Sequence, residues 1–249
     1  MEAKKEDFII TEKWLKECGA CDNYLNFFNF TFLKDKNGIK VSQVLKSKTL
    51  FSSTFKVWLL ENLPFSPIPF KTAQVNGDLL HNGDVYVKGD VITKNIVYVK
   101  GNLIIDGNLI SNGRGYITAK HISVNNIEFS DETIAHASIK ANDIFMNERA
   151  TIRGEVTADN IDMYYLADIR GKIQTNIISI NESAWINGNI KTNIININNG
   201  IIWNDIDANE IYNNGGLIKG NVNTIKIENI NGGKVEGITT FKSAYSNQL

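Results

Sequence analysis

"VYVKGDVITKNIVYVKGNLIIDGNL", residues 85–109, returns to nearly the same composition every six residues, with Gly at 89, 101 and 107 and Asn at 95. From Val75 onward the odd positions are mostly Val, Leu, Ile or Gly. Alternation over such a length means strand after strand with one face turned inward. Glycines at 77, 83, 89, 101, 107 and 113, usually followed by Asp or Asn, mark a turn every six residues, because Gly and Asn tolerate positive φ. Three such segments make a coil of 18 residues. That is the pattern of a parallel β-helix, in which each coil closes its backbone hydrogen bonds on its neighbours.

The outward positions fit this model. Residues 18 apart lie above one another, so Asp84 falls over Asn102, Asp90 over Asn108 and Lys88 over Asp106, with no like charges stacked. A calcium-binding repeat keeps converging carboxylates and a nine-residue period, which these columns lack. Further along, the period shortens to about 17. Gly154, Gly171 and Gly188 then share one column, Ile152, Ile169 and Ile186 a core column, and Ala158, Thr175, Thr192 and Ala208 a small-residue column. Asp159, Asn176, Asn193 and Asn209 form a polar column suited to a hydrogen-bonded ladder at a turn. An odd period predicts one bulge per coil. About 165 residues give roughly nine coils and, at ~4.8 Å per strand, a rod of about 45 Å with two edges to cap or pair.

All three prolines lie in "LPFSPIPF", at 64, 67 and 69, and only Gly19 and Gly38 of the 19 glycines precede them. Proline removes donors and disfavours helix before it, so this stretch is an extended connector. The expected organisation is an α-helical head over residues 1–70, a parallel β-helix over 71–240 and a tail over 241–249. In the head, Thr11 can cap a helix containing Trp14, Leu15 and Cys18 that Gly19 ends. A second helix runs through Tyr24, Leu25 and Phe28, and Ser53 or Thr54 can start a third that Pro64 stops. A folded head of this kind is placed to cover one end of the rod.

The formal net charge of -1 gives no reason to expect nucleic acid or an acidic membrane surface as partner. The N-terminal residues lack a secretory apolar stretch and no later run is long enough to span a bilayer, so a cytoplasmic protein is expected. No cofactor or metal is expected. Cys18 and Cys21 have the spacing of a redox dithiol or half a zinc site, yet the histidines at 81, 121 and 136 are distant in sequence. Two small buried thiols in a helical hairpin are the expectation.

The runs "IRGEVTADNIDM" (152–163), "IRGKIQTNIISI" (169–180) and "INGNIKTNIINI" (186–197) resemble the β-helical domain of bactofilins, the polymer-forming bacterial cytoskeletal proteins. The resemblance covers about residues 75–239. It implies a nucleotide-free β-helix able to assemble end to end. The aromatic-rich head departs from the short tails usual in that family.

Catalysis finds little support in the residues. Hexapeptide acyltransferases place Gly directly after the aliphatic residue, whereas the order here is Val-Lys-Gly. No loop positions a reacting group beside His81, His121 or His136. A polysaccharide lyase or hydrolase needs carboxylates in a walled cleft. The one apparent insertion, residues 124–136 with Glu128, Asp131 and Glu132, reads as a solvated bulge, because the small-residue spacing stretches to 22 between Ala119 and Ala141. Stacked Arg153 and Arg170 suit an anion, against screening by Glu155 and Asp168.

Outward apolar residues form the candidate interaction surface: Leu80, Tyr86, Ile92, Tyr98, Ile104, Ile110 and Tyr116, with Leu80, Tyr98 and Tyr116 as one vertical stripe. Trp203 occupies a column filled elsewhere by Ile and Asp205 replaces an expected Gly. This coil is therefore read either as a packing correction or as a candidate groove for sugar or peptide lined by Trp185, Trp203 and Tyr212. The expected function is a non-catalytic scaffold acting on copies of itself or on a protein partner, with a carbohydrate- or protein-binding module as the alternative and an acyltransferase or lyase behind both.

Overall fold

The structure, a computed structural model, describes residues 8–32, 38–47 and 51–243. The head's extreme N-terminus and the tail beyond Ser243 lie outside the described residues. The chain divides into two compact units, Met1–Pro64 and Phe65–Leu249.

The first unit is helical because its punctuation is. Helix α1, Glu12–Glu17, starts where Trp14 N–H donates to Thr11 Oγ1 at 3.2 Å and ends at Cys18, with Gly19 at φ +72°. Helix α2 is Asp22–Phe32 and α3 is Val41–Lys46. Helix α4, Ser53–Asn62, is capped by Ser52 Oγ and stops before Pro64. Leu15, Phe28, Val44, Phe55, Leu59 and Leu60 are buried. Tyr24 adds edge-on packing with its ring 4.9 Å from that of Phe55. Ile9–Ile10 and Ile39–Lys40 form a small antiparallel pair that the sequence did not announce. The cysteines are not buried: Cys18 is half-exposed and Cys21 exposed, because Ala20 takes the inward position in the turn between α1 and α2.

The second unit is a parallel β-helix of about ten coils, one more than the repeat arithmetic gives. Two facts account for the extra coil. Strand Ser66–Thr72, within the proline stretch, already pairs in parallel with Gly83–Val87. The coils also contract: Val91, Leu109 and Ile127 stack 18 apart, Ile127 to Ile195 step by 17, and Ile195, Ile211 and Ile227 step by 16.

Each coil supplies strands to three faces. The first face carries Tyr86, Ile104, Ser123, Lys140, Thr157, Gln174 and Lys191 in one outward column. The second carries Ile92, Ile110, Glu128, Phe145, Asp162, Ser179, Asn196 and Tyr212. The third carries Leu80, Tyr98, Thr118, His136, Arg153 and Arg170. Between the faces runs a buried core whose columns stay in phase. Ile152, Ile169, Ile186, Ile202 and Ile218 stack with no exposure.

The odd residue of the 17-residue coil is not taken up by the one bulge per coil that the odd period predicts. It is absorbed at one corner, where Asp131, Glu148, Tyr165, Glu182 and Asn199 recur every 17 residues with φ between 43° and 58°. The stretch 124–136 is likewise no insertion. Asn126–Ser130 and Ile134–Lys140 are regular strands, and Val124, not Ala119, precedes Ala141 and Ala158 in the small-residue column. The irregularity lies earlier, where the register shifts between Thr118 and His121.

The polar column closes as a ladder: Asn176 Nδ2 donates to Asp159 Oδ1 at 3.4 Å, Asn193 to Asn176 at 3.4 Å and Asn209 to Asn193 at 3.2 Å. Beside it Thr175 and Thr192 donate to carbonyls of the preceding coil, and so satisfy turn groups inside the wall. A second ladder, through Asn181, Asn198, Asn214 and Asn231, was not foreseen.

Candidate interaction surfaces

In the first coils, paired turns fix the surface. Asp84 Oδ1 accepts from Asn102 N–H and Asp90 Oδ1 from Asn108 N–H, both at 2.8 Å. The expected stacking of acid over amide is therefore a backbone cap across one coil. These turns hold the intervening strands flat, and alternate side chains point outward.

The outward apolar residues do not make one continuous stripe. Tyr116 pairs with Ile96, and Thr118 takes the place over Tyr98, because two extra residues enter the coil around Gly113 and Gly115. Tyr98 is only 7% exposed, whereas Ile104 at 43% and Tyr116 at 41% are open. Leu80, Tyr86, Ile92 and Ile110 are half-buried. Tyr86 donates its hydroxyl to Asp106 Oδ2, and that bond to a carboxylate raises its pKa. Tyr116 leans on His136, their rings 5.4 Å apart.

The aromatic groove of Trp185, Trp203 and Tyr212 does not assemble. Trp203 stands over Asn187, one position off the core column that Ile202 fills, and is 46% exposed. Asn204, not Asp205, takes the glycine position, and Asp205 Oδ1 accepts from Asn221 N–H at 2.8 Å like the acids of the first coils. Tyr212 belongs to the second face, bonded to Glu210 and 5.0 Å from Lys226 Nζ. Trp185 and Trp203 share the third face. Each carries a cation: Arg170 lies 4.9 Å from the Trp185 ring and Lys219 Nζ 3.7 Å from that of Trp203.

Sequence pairing of Arg153 with Arg170 is realised, but their expected screen is divided. Asp168 bonds Arg170 through Oδ2, while Glu155 faces Lys172 on the first face at 4.0 Å. Asp168 is 2% exposed, and burial raises its pKa against the pull of Arg170. Its Oδ1 has no hydrogen-bond partner among the described residues.

The histidines stand apart. His81 is half-buried beside Phe70, its Nε2 without a partner among the described residues, and burial lowers its pKa despite nearby Asp84. His121 is exposed on the first face and His136 lies on the third, its pKa lowered by burial and then by Arg153. Glu128 lies on the second face. Asp131 and Glu132 sit at the left-handed corner, where Arg114 holds Glu132 at 2.9 Å.

A concavity of about 650 Å³ forms an open trough on the first face between the Glu155–Lys172–Asn189 and Thr157–Gln174–Lys191 columns. Among the described residues no three His, Cys, Asp or Glu side chains converge as a metal site, and no helix is long and apolar enough to cross a membrane. No family model, curated protein or solved structure matches the chain.

Proposed function

We propose that the protein is a non-catalytic, bactofilin-like scaffold whose β-helical unit associates with copies of itself in the cytoplasm. The observation that carries this reading is the last coil. Strands Lys226–Ile230, Lys234–Val235 and Thr239–Phe241 each pair only with the preceding coil among the described residues. Ile230, Ile238 and Phe241 there are 56–74% exposed. An open parallel edge with apolar side chains is a template for another chain. The amide ladder through Asn181, Asn198 and Asn214 supports the same reading, since Asn231 ends it at this coil and can continue it across a joint. Pairing of two such ends about a two-fold axis gives a closed dimer.

Light scattering across protein concentration tests the proposal on the wild type and on an Ile238→Lys, Phe241→Lys double variant. The wild type is expected to grow to dimers or larger species and the double variant to stay monomeric. A wild type that is monomeric at every concentration and salt ends the reading.

A further inference from the structure

On the third face, the outward column between the fourth and ninth coils reads His136, Arg153, Arg170, Asn187, Trp203 and Lys219, with Asp168 and Trp185 beside it. We propose that this face binds an acidic polysaccharide, a chain of hexuronate residues, with Arg153 and Arg170 gripping a sugar carboxylate and Trp203 supporting a ring. This goes beyond self-association and uses a different surface.

Three features of a sugar acid have counterparts here. The first is the carboxylate. Arg153 and Arg170 stand on stacked strands about 4.8 Å apart, and no ion pair holds Arg153 among the described residues. Two adjacent guanidinium groups repel unless an anion bridges them, and their planar forks match a carboxylate. The second is the hydroxyl. Asp168 is buried in the fold with one oxygen bonded to Arg170 and the other bare. When Arg170 turns toward a ligand carboxylate it vacates Asp168 Oδ2, to which a sugar hydroxyl can donate in its place. The third is the ring face, for which the exposed indole of Trp203, with Lys219 against it, offers an apolar platform beside a cation.

The chemistry of the column narrows the choice of polymer. Arg153, Arg170 and Lys219 are the only Lys or Arg side chains in this outward column across five coils, with Asn187 and Trp203 between. Nucleic acid and a hexuronate chain both carry one charge per residue, but the planar guanidinium forks of Arg153 and Arg170 match a carboxylate and the exposed indole of Trp203 suits a sugar face. An acidic peptide supplies carboxylates without the ring and hydroxyls that Trp203 and Asp168 would meet. The chain as a whole has a net charge of -1, so attraction must come from this local column.

Isothermal titration calorimetry on the full chain with galacturonate oligomers tests the proposal, with methyl-esterified oligomers, a poly-glutamate peptide and single-stranded DNA as comparisons. Saturable binding of the free-acid oligomers is expected, lost on esterification and weakened by added salt. Arg153→Gln and Trp203→Ala should each weaken it roughly tenfold, Arg153→Lys should recover part of the loss, and Tyr212→Ala on the second face should leave it unchanged. Thermal melts confirm that each variant is folded. Absence of saturable binding overturns the proposal, as does equal affinity in folded Arg153→Gln and Trp203→Ala, or binding of peptide or DNA as tight as that of the oligomer.

Discussion

At Gly188 a single added carbon has nowhere to go. A Cβ there would lie 1.7 Å from the carbonyl oxygen of Gly171, and one on Gly171 would lie 1.9 Å from that of Gly154. Gly188→Ala must push two coils apart, and a cost of about 2–3 kcal/mol is expected, read as a lowered midpoint in urea with little change in slope. A midpoint equal to wild type would show that the wall yields. The column was legible in the sequence, but its cause was only half so. Positive φ explains Gly77, whereas Gly101 and Gly107 have ordinary backbone and are needed because Asp84 and Asp90 Oδ1 would sit 2.3 and 2.4 Å from a Cβ. A turn propensity belongs to one residue, whereas a carboxylate reaching over it from the coil below belongs to a stack, which local reading does not see. Trp203 illustrates the same limit: when one coil drops a residue, a one-place slip in alignment exchanges inside for outside.

At the scale of the element, the strand Leu79–His81 carries a stability that follows pH. His81 rests against Phe70 of Ser66–Thr72, Nε2 meets no hydrogen-bond partner among the described residues, and burial holds its pKa below the usual 6.5. The fold therefore favours the neutral ring. Stability is full above about pH 6.5, and it falls as pH drops below that value because the unfolded chain then takes up the proton more readily. Asp84 opposes the shift, but its carboxylate oxygen is already committed to Asn102. Thermal unfolding between pH 7 and 5 should show a shallower decline for His81→Leu than for wild type, with the remainder partly due to His136, whose pKa is also lowered. Parallel pH curves for the two proteins would exclude His81 as the source. The element pattern was largely readable, since strands recur wherever aliphatics alternate. The short helix α3 and the strand inside the proline run were missed, the first for lack of a strong cap and the second because proline is compatible with an edge coil.

For the whole molecule, each coil touches mainly its neighbours, so removing one intact period should leave the rest of the stack in phase. Val156 stacks on Ile173, and excision of residues 156–172 joins Glu155 to Ile173 with every later column preserved. That variant is expected to keep its far-UV circular dichroism and melt cooperatively, whereas excision of 156–171 should not, since it turns the core residues of the next strand outward. Equal behaviour of the two deletions would mean that the corners can absorb a residue freely. The architecture of this unit was thus largely written in its period, but the surfaces were not, because which outward residues share a face depends on small changes of period such as the one near Gly113. Those same changes bear on how the chain finds its partners while folding. A stack of identical coils can be threaded one step out of place at almost no cost, as in any ruler with unmarked divisions. Here coils of 18, 17 and 16 residues give successive segments different lengths. A segment that docks on the wrong neighbour is left with slack or falls short. The uneven coils thus act as an address system, and favour the one threading in which every strand is the right length.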